Sequence, residues 1–387
     1  MSTADSASLI DEVRSHQDEI EHDILTLVDS ESYSYAKEEL NRTKQLLLDL
    51  CTTRLGEPDS TEHFEQESYG DAVLLRYEGT GNNTPTITFL GHYDTVWPIG
   101  ILSEWGERYS TDDNGKRTIS GPGIFDMKTG LVQAIWITKL LREEEQYPTI
   151  QFLFNGDEEL GSPSSRPIIE DVAKGSDAVF VFESSANGKI KTARKGIGLI
   201  KIAATGVESH AGLDPDAGAS AIKALMQVGL QVSDLADRSK GTTINVGLIS
   251  GGTGSNVIAG KAEATVDIRV EDPSEIDRLN EAFKEVHWDD DRVDVTVTPN
   301  WNRPSMVFTE KSQELYAQLE SAAKRLGKTI DQAQVGGASD ANFVSPLGIP
   351  VLCGVGANGS GAHARHEFIY PDDIPFYIAL LVEALRN

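Results

Sequence analysis

Cysteine is nearly absent: Cys51 and Cys353 are the only two in 387 residues. They stand far apart, and Cys353 lies in the apolar stretch "IPVLCGVG". Neither a disulfide framework nor cysteine ligation of a metal is expected. Basic residues are also few, 34 Lys and Arg against 61 Asp and Glu, for a formal net charge of −27. That balance argues against nucleic acid or an anionic membrane as a partner. No stretch approaches the roughly 18 consecutive apolar residues of a membrane span. The first thirty residues carry charges throughout, without the basic end and apolar block of a leader. The expectation is an unprocessed, cytoplasmic chain. Much of the acid is scattered, as in "REEEQ" and "EVHWDDDRVD", and reads as a solvated surface more than a cation-binding tract. Such a surface suits a high-salt cytoplasm, as in a halophile-like proteome, because salt shortens the range of repulsion.

Several catalytic signatures are missing. "SNVIAGKA" has Ser255 where a phosphate loop needs its first glycine and Ala262 where it needs Ser or Thr. Phe368, Ile369 and Tyr370 follow Glu367, so there is no H-E-x-x-H, and no G-x-S-x-G elbow occurs. A serine hydrolase has little to stand on.

What is present is a long alternation of elements, enough for one large domain or two smaller ones. Residues 6–29 and "SYAKEELNRTKQLLLDLC" read as helices, the latter with Leu40, Leu47, Leu48 and Leu50 as apolar positions. Strand-like runs follow at "AVLLRYE", "TITFLGHYDTV", "TIQFLFN" and "DAVFVFESS", with a helix-length stretch from Met127 to Glu145 among them. This implies an α/β fold whose mixed, largely parallel sheet is flanked by helices. From residue 194 the order becomes β-α-β-β-α-β over about one hundred residues, a ferredoxin-like α+β pattern. A helix near 310–326, "GIPVLCGVG" and a last helix from Asp372 then return to the first style. The expected division is 1–193 and 305–387 for the larger domain, with 194–304 inserted.

Three apolar strands end on acids. "TITFLGHYD" ends on His92 and Asp94, "TIQFLFNGDEE" on Glu158 and Glu159, and "AVFVFESS" on Glu183. Ligands of open α/β sheets bind beyond the carboxyl ends of strands, and Asp126, behind the glycine-rich turn of "GPGIFDMKTG", would join the same rim. Taken singly, each has a plain explanation: His92 as a core histidine, Asp126 as a helix N-cap, Glu158 and Glu159 as loop charges, Glu183 as an edge acid. Their coincidence at three strand ends points elsewhere. Carboxylates gathered this closely repel one another unless positive charge lies among them, and one or two divalent metals would supply it.

"GHYDTV", "GPGIFDMKTG", "NGDEELGS", "VFESS" and "GAHARHEF" resemble, in order and spacing, the two-zinc aminohydrolase and metallopeptidase family. That family includes glutamate carboxypeptidase, acetylornithine deacetylase, succinyl-diaminopimelate desuccinylase and aminoacylase. "SHAGLDPDAGASAI" and "GGASDANF" bring the resemblance nearest to the glutamate carboxypeptidases. It implies a zinc-peptidase-like fold with the inserted domain as lid and dimerisation unit. It also implies two zinc ions, with cobalt or manganese as substitutes. His92 and Glu183 would hold one, Glu159 and His363 the other, and Asp126 would bridge them; imidazole nitrogens and carboxylate oxygens suit zinc. His363 is preferred to His366 because related motifs read His followed four residues later by Glu, the interval from His363 to Glu367; in the folate-cleaving glutamate carboxypeptidase one more residue separates the two. Asp94 would take the spare ring proton of His92, Glu158 would act as general base, and a cis peptide would follow Asp126.

In "ESHAG", His210 would stabilise an oxyanion, often from across a dimer; its plain alternative is a loop histidine. Asn256, Arg269 and Arg303 resemble substrate-binding positions, an arginine fork being suited to a carboxylate, although Arg303 also reads as a surface ion pair. The backbone of Gly336 and Gly337 would hold the same carboxylate, or form a plain turn. The activity implied is zinc-dependent hydrolysis of an amide bond by a metal-activated water. It would release a C-terminal amino acid of the glutamate type from a small peptide or N-acyl conjugate, in a homodimer. The alternatives are an N-acyl-amino-acid deacylase and a non-catalytic binder of amino-acid conjugates.

Overall fold

The computed structural model describes residues 3–81 and 83–386. Two compact units are present. The first comprises 1–193, 306–335 and 339–387; the second comprises 194–305 with 336–338.

In the first unit an eight-stranded sheet is built on four parallel neighbours, in the order Thr149–Gly156, Thr86–His92, Ala178–Val181, Val351–Cys353. Antiparallel strands flank this centre: Gly70–Tyr77 and Ser60–Phe64 on one side, Ile190–Arg194 on the other. The sheet is therefore mixed as expected, but parallel only at its centre. All eight residues of Thr149–Gly156 are buried, as the centre of a sheet covered on both faces requires. Alternation along the strands sorts the side chains. Phe89, Phe152 and Phe180 join the core beneath Thr129–Leu141 and Ile374–Leu385. Leu90, Leu153, Val179 and Val181 join the opposite one with Ile169 and Phe343. Phe89 meets Phe152 and Phe180 edge-on, with centroids 5.8 and 6.2 Å apart, a favourable aromatic geometry.

The expected first helix is two, Thr3–Ser15 and Gln17–Val28, broken at His16. The helix expected from Met127 begins at Thr129 after the turn Ile124–Lys128. Among the described residues no helix is long and apolar enough to cross a membrane. Cys51 and Cys353 are buried.

The second unit runs Gly196–Thr205, Ala221–Asp234, Thr243–Gly251, Lys261–Val270, Ser274–Lys284, Asp294–Arg303, the ferredoxin-like order. Its four strands are antiparallel, with Lys261–Val270 and Gly196–Thr205 central. Alternate residues Ile200, Ile202, Val266 and Ile268 form one core with Leu225, Val228, Leu279 and Phe283 of the helices. A two-residue antiparallel ladder, Ser209–His210 with Val257–Ile258, is an addition to that order.

Candidate metal centre

Three parallel strands bring the first candidates together because they share direction and register. His92 is level with Asn155, and Leu90 with Val181. The chain leaves all three at the same edge, into the turn Glu158–Leu160 and, on the other side, to Glu183. Asp126 arrives from the helix side. Gly123, at φ +73°, turns the chain into Ile124–Lys128, and the Asp126–Met127 peptide bond is cis. Gly130 brings the following helix against the strand end: a Cβ there would lie 1.9 Å from the Phe182 carbonyl oxygen. His363 comes from the carboxy-terminal loop in the left-handed region, at φ +62°, which only a few per cent of non-glycine residues adopt.

Asp126 divides its carboxylate between two imidazoles. Oδ1 is 3.4 Å from His92 Nε2 and Oδ2 is 3.2 Å from His363 Nε2. Glu183 Oε1 lies 3.6 Å from His92 Nε2, and Glu159 Oε2 lies 3.1 Å from His363 Nε2. Donor atoms of His92, Asp126 and Glu159 all fall within 4.8 Å of one another, as do those of His92, Glu158 and Glu183. Glu158 thus lies within the same reach at the His92 end.

Asp94 supports this arrangement in two directions. His92 Nδ1 is 3.0 Å from the Asp94 carbonyl oxygen and 3.3 Å from its Oδ1, so main chain and carboxylate share the ring partner expected of the carboxylate alone. The carboxylate also accepts Glu158 N and Glu159 N, each at 3.2 Å, and Ser34 Oγ at 2.8 Å.

The charges respond to one another. Burial opposes a charged His92, yet the carboxylates of Asp126, Asp94 and Glu183 raise its pKa well above the ordinary value. Asp126 and Glu159 push His363 up to about 11. Burial, then the Asp126 charge, raises Glu159 to about 7. Asp126, which burial alone would raise, is held low by His363 and His92. Protonated imidazoles are one answer to so much acid; a divalent cation with neutral imidazoles is the other. The donor set fits the cation. Buried polar atoms normally have hydrogen-bond partners, but His92 Nε2 and Asp126 Oδ1 have none. Two imidazoles and three carboxylates, with one carboxylate between the imidazoles, form a donor set for two ions.

The remaining candidates belong to the second unit. His210 is exposed and pairs with Val257, and Ala211 N donates to Asn256 O at 2.8 Å, so His210 and Asn256 lie on adjoining segments. Arg269 has a partner on its own strand. Its Nε and Nη2 grip both oxygens of Asp267 at 2.8 and 2.9 Å, because residues two apart on a strand share a face. Its fork already holds a carboxylate of this chain. Arg303 is buried, and Gly337 O accepts Arg194 Nη1 at 3.1 Å. Gly336 adjoins it, and His366 is exposed.

Ser34, Trp97 and Glu367 were not singled out by sequence as parts of the site. Glu367 was only the spacing mark that selected His363, yet it accepts the backbone N–H of Asp126 at 3.0 Å. The interval of four residues was its one visible signal.

Residues 88–387 match "Peptidase family M20/M25/M40". Over 314 residues, 79% of this chain and 74% of the other, the sequence is 30% identical to carboxypeptidase G2 of Pseudomonas sp. (strain RS-16). The crystal structure of aminopeptidase PepT from Bacillus cereus superposes with a TM-score of 0.76 at 22% identity, covering 95% of this chain and 98% of that one. Bacillus subtilis YxeP, described as a dinuclear metal binding peptidase from the M20 family, gives 0.66 at 16% identity over 96% and 98% of the two chains. The chain belongs to peptidase family M20/M25/M40, and is a hydrolase of the metallopeptidase type.

Proposed function

We propose that this protein is a two-zinc hydrolase that releases a C-terminal amino acid, of the glutamate type, from a small peptide or N-acyl conjugate. The observation that carries the reading is the split carboxylate of Asp126, one oxygen toward His92 and the other toward His363. His92 and Glu183 would hold one ion, His363 and Glu159 the other, with Asp126 shared; cobalt or manganese fits the same donors. Bound ions supply Lewis acidity and lower the pKa of water to near neutrality.

The rest is the work of the chain. Glu158 accepts the proton of the attacking water and delivers it to the leaving nitrogen. Asp94 holds Glu158 by its backbone N–H and keeps His92 in one orientation. His210 donates to the oxygen that becomes negative. Asn256, Arg303 and the backbone at Gly336 and Gly337 recognise the substrate. The likeness to carboxypeptidase G2 supports the choice of a carboxypeptidase over a deacylase. A homodimer through the second unit is part of the proposal. Its support is the exposed apolar set Met226, Leu230, Leu248 and Ile249 on the helix Ala221–Asp234 and the edge strand Thr243–Gly251. We assign it to a cytoplasm, consistent with having only two cysteines, both buried.

The test is metal-reconstituted protein assayed against N-acyl-glutamate, dipeptides ending in glutamate and N-acetyl-ornithine. Chelator-sensitive release of glutamate is expected. Turnover of N-acetyl-ornithine alone would make it a deacylase, and no chelator-sensitive turnover of any amide would overturn the hydrolase reading.

A further inference from the structure

Glu367 lies four residues beyond His363 and is wholly buried. Its two oxygens take four N–H donors, two each. Phe125 N and Asp126 N reach Oε1 at 2.8 and 3.0 Å; Gly123 N and Trp97 Nε1 reach Oε2 at 3.1 and 3.0 Å. The residue's own backbone is held as well. Glu367 N donates to Ala364 O at 2.9 Å, and Glu367 O accepts Ser120 Oγ at 2.6 Å. Ser120 Oγ receives Trp105 Nε1 at 2.9 Å, and Trp105 stands edge-on to Trp97 with centroids 4.9 Å apart.

We propose that Glu367 is a positioning residue of the metal centre: from the loop that carries His363 it grips the backbone of residues 123–126, and so sets the separation of His363 from Asp126. The inference rests on reading the cluster as a metal centre. Its chemistry calls for a carboxylate. A glutamine has one acceptor oxygen and one NH2 group, so either flip would aim NH2 at two N–H donors. A buried anion is costly unless well hydrogen-bonded, and this one sits beside an already acidic cluster. Four donors converging on it make it the anchor of two loops that are remote in sequence. Glu367 makes no contact with substrate or ion in this account; it acts through Asp126 and His363.

The full-length protein, stripped of metal, tests this with cobalt(II) chloride as the probe and the visible absorption of bound cobalt as the signal. Wild type is expected to take two ions. Glu367→Gln should bind at least one of them about 10- to 100-fold more weakly, the usual effect of removing an outer partner of a ligand. Hydrogen exchange of the metal-free proteins supplies a second readout. The amides of Gly123, Phe125 and Asp126 should exchange at least tenfold faster in the variant, with those of Thr86–His92 unchanged; a merely structural role would speed both alike. Wild-type cobalt affinity in Glu367→Gln overturns the inference and leaves the hydrolase reading intact. A wild type that binds no cobalt overturns both. If Glu367→Gln does not fold, Trp97→Phe carries the test, since it removes one donor and keeps a ring: severalfold weaker cobalt binding supports the inference, and unchanged binding overturns it.

Discussion

The carboxylate of Asp94 accepts the backbone N–H of Glu158 at 3.2 Å. The residue that steadies His92 therefore also fixes the turn bearing the proposed base. Replacing it should disturb metal binding and proton transfer together. For Asp94→Ala we expect metal affinity to fall about 10- to 100-fold, with a loss of kcat that saturating metal does not restore. Calorimetric zinc titration and steady-state kinetics at saturating metal check the two effects separately.

Glu158→Gln separates them in the other sense. Its amide is close in shape to the carboxylate but cannot accept the proton of water, so turnover should fall by about 10²- to 10⁴-fold. Metal content, read by elemental analysis, should remain that of wild type. A variant with undiminished kcat would place the base elsewhere.

Glu275, in the second unit, gives that unit an acid limit. Its buried carboxylate accepts Arg278 Nη2 at 2.6 Å, Thr242 Oγ1 at 2.8 Å and Lys240 Nζ at 3.0 Å, and the Arg278 contact above all draws its pKa down to about 2 from 4.5. Because the folded carboxyl ionises more readily than the unfolded one, its stabilisation is complete above pH 4.5 and is lost as pH falls toward 2. Glu275→Gln should destabilise the unit by about 2–3 kcal/mol at neutral pH and flatten that acid limb. Urea melts followed by the fluorescence of Trp288 and Trp301 across this range are the measurement.

The net charge of −27 sets a salt dependence. Repulsion among surface carboxylates is screened as ionic strength rises, so the melting temperature should climb by several degrees between dilute buffer and molar potassium chloride. Equal melting temperatures by calorimetry would remove the case for a high-salt host.

The strand ends were legible from the sequence because apolar runs such as "TITFLGH" and "TIQFLFNG" stop abruptly on acids, and Asp126 because a glycine-rich turn precedes it. His363 was legible only through resemblance; its loop has no periodicity to betray it. Trp97 and Ser34 were hidden because their contacts cross 270 and 60 positions, distances over which spacing carries no signal. The strands Ile190–Arg194 and Gln332–Val335 were missed because they are short and mixed in polarity. The break at His16 lacks the glycine or proline that usually marks one. For Arg269 a suitable functional group was visible in the sequence, and Asp267, two residues away on the same strand, is its partner.

Gly130 has no side chain, yet the spacing of the proposed ligands depends on it. Asp126 precedes the helix that Gly130 seats, Glu183 follows the carbonyl on which that glycine rests, and a single methyl group would have to displace one or the other. The distance across which one cation could be shared between helix and sheet is thus governed by the absence of a single carbon atom.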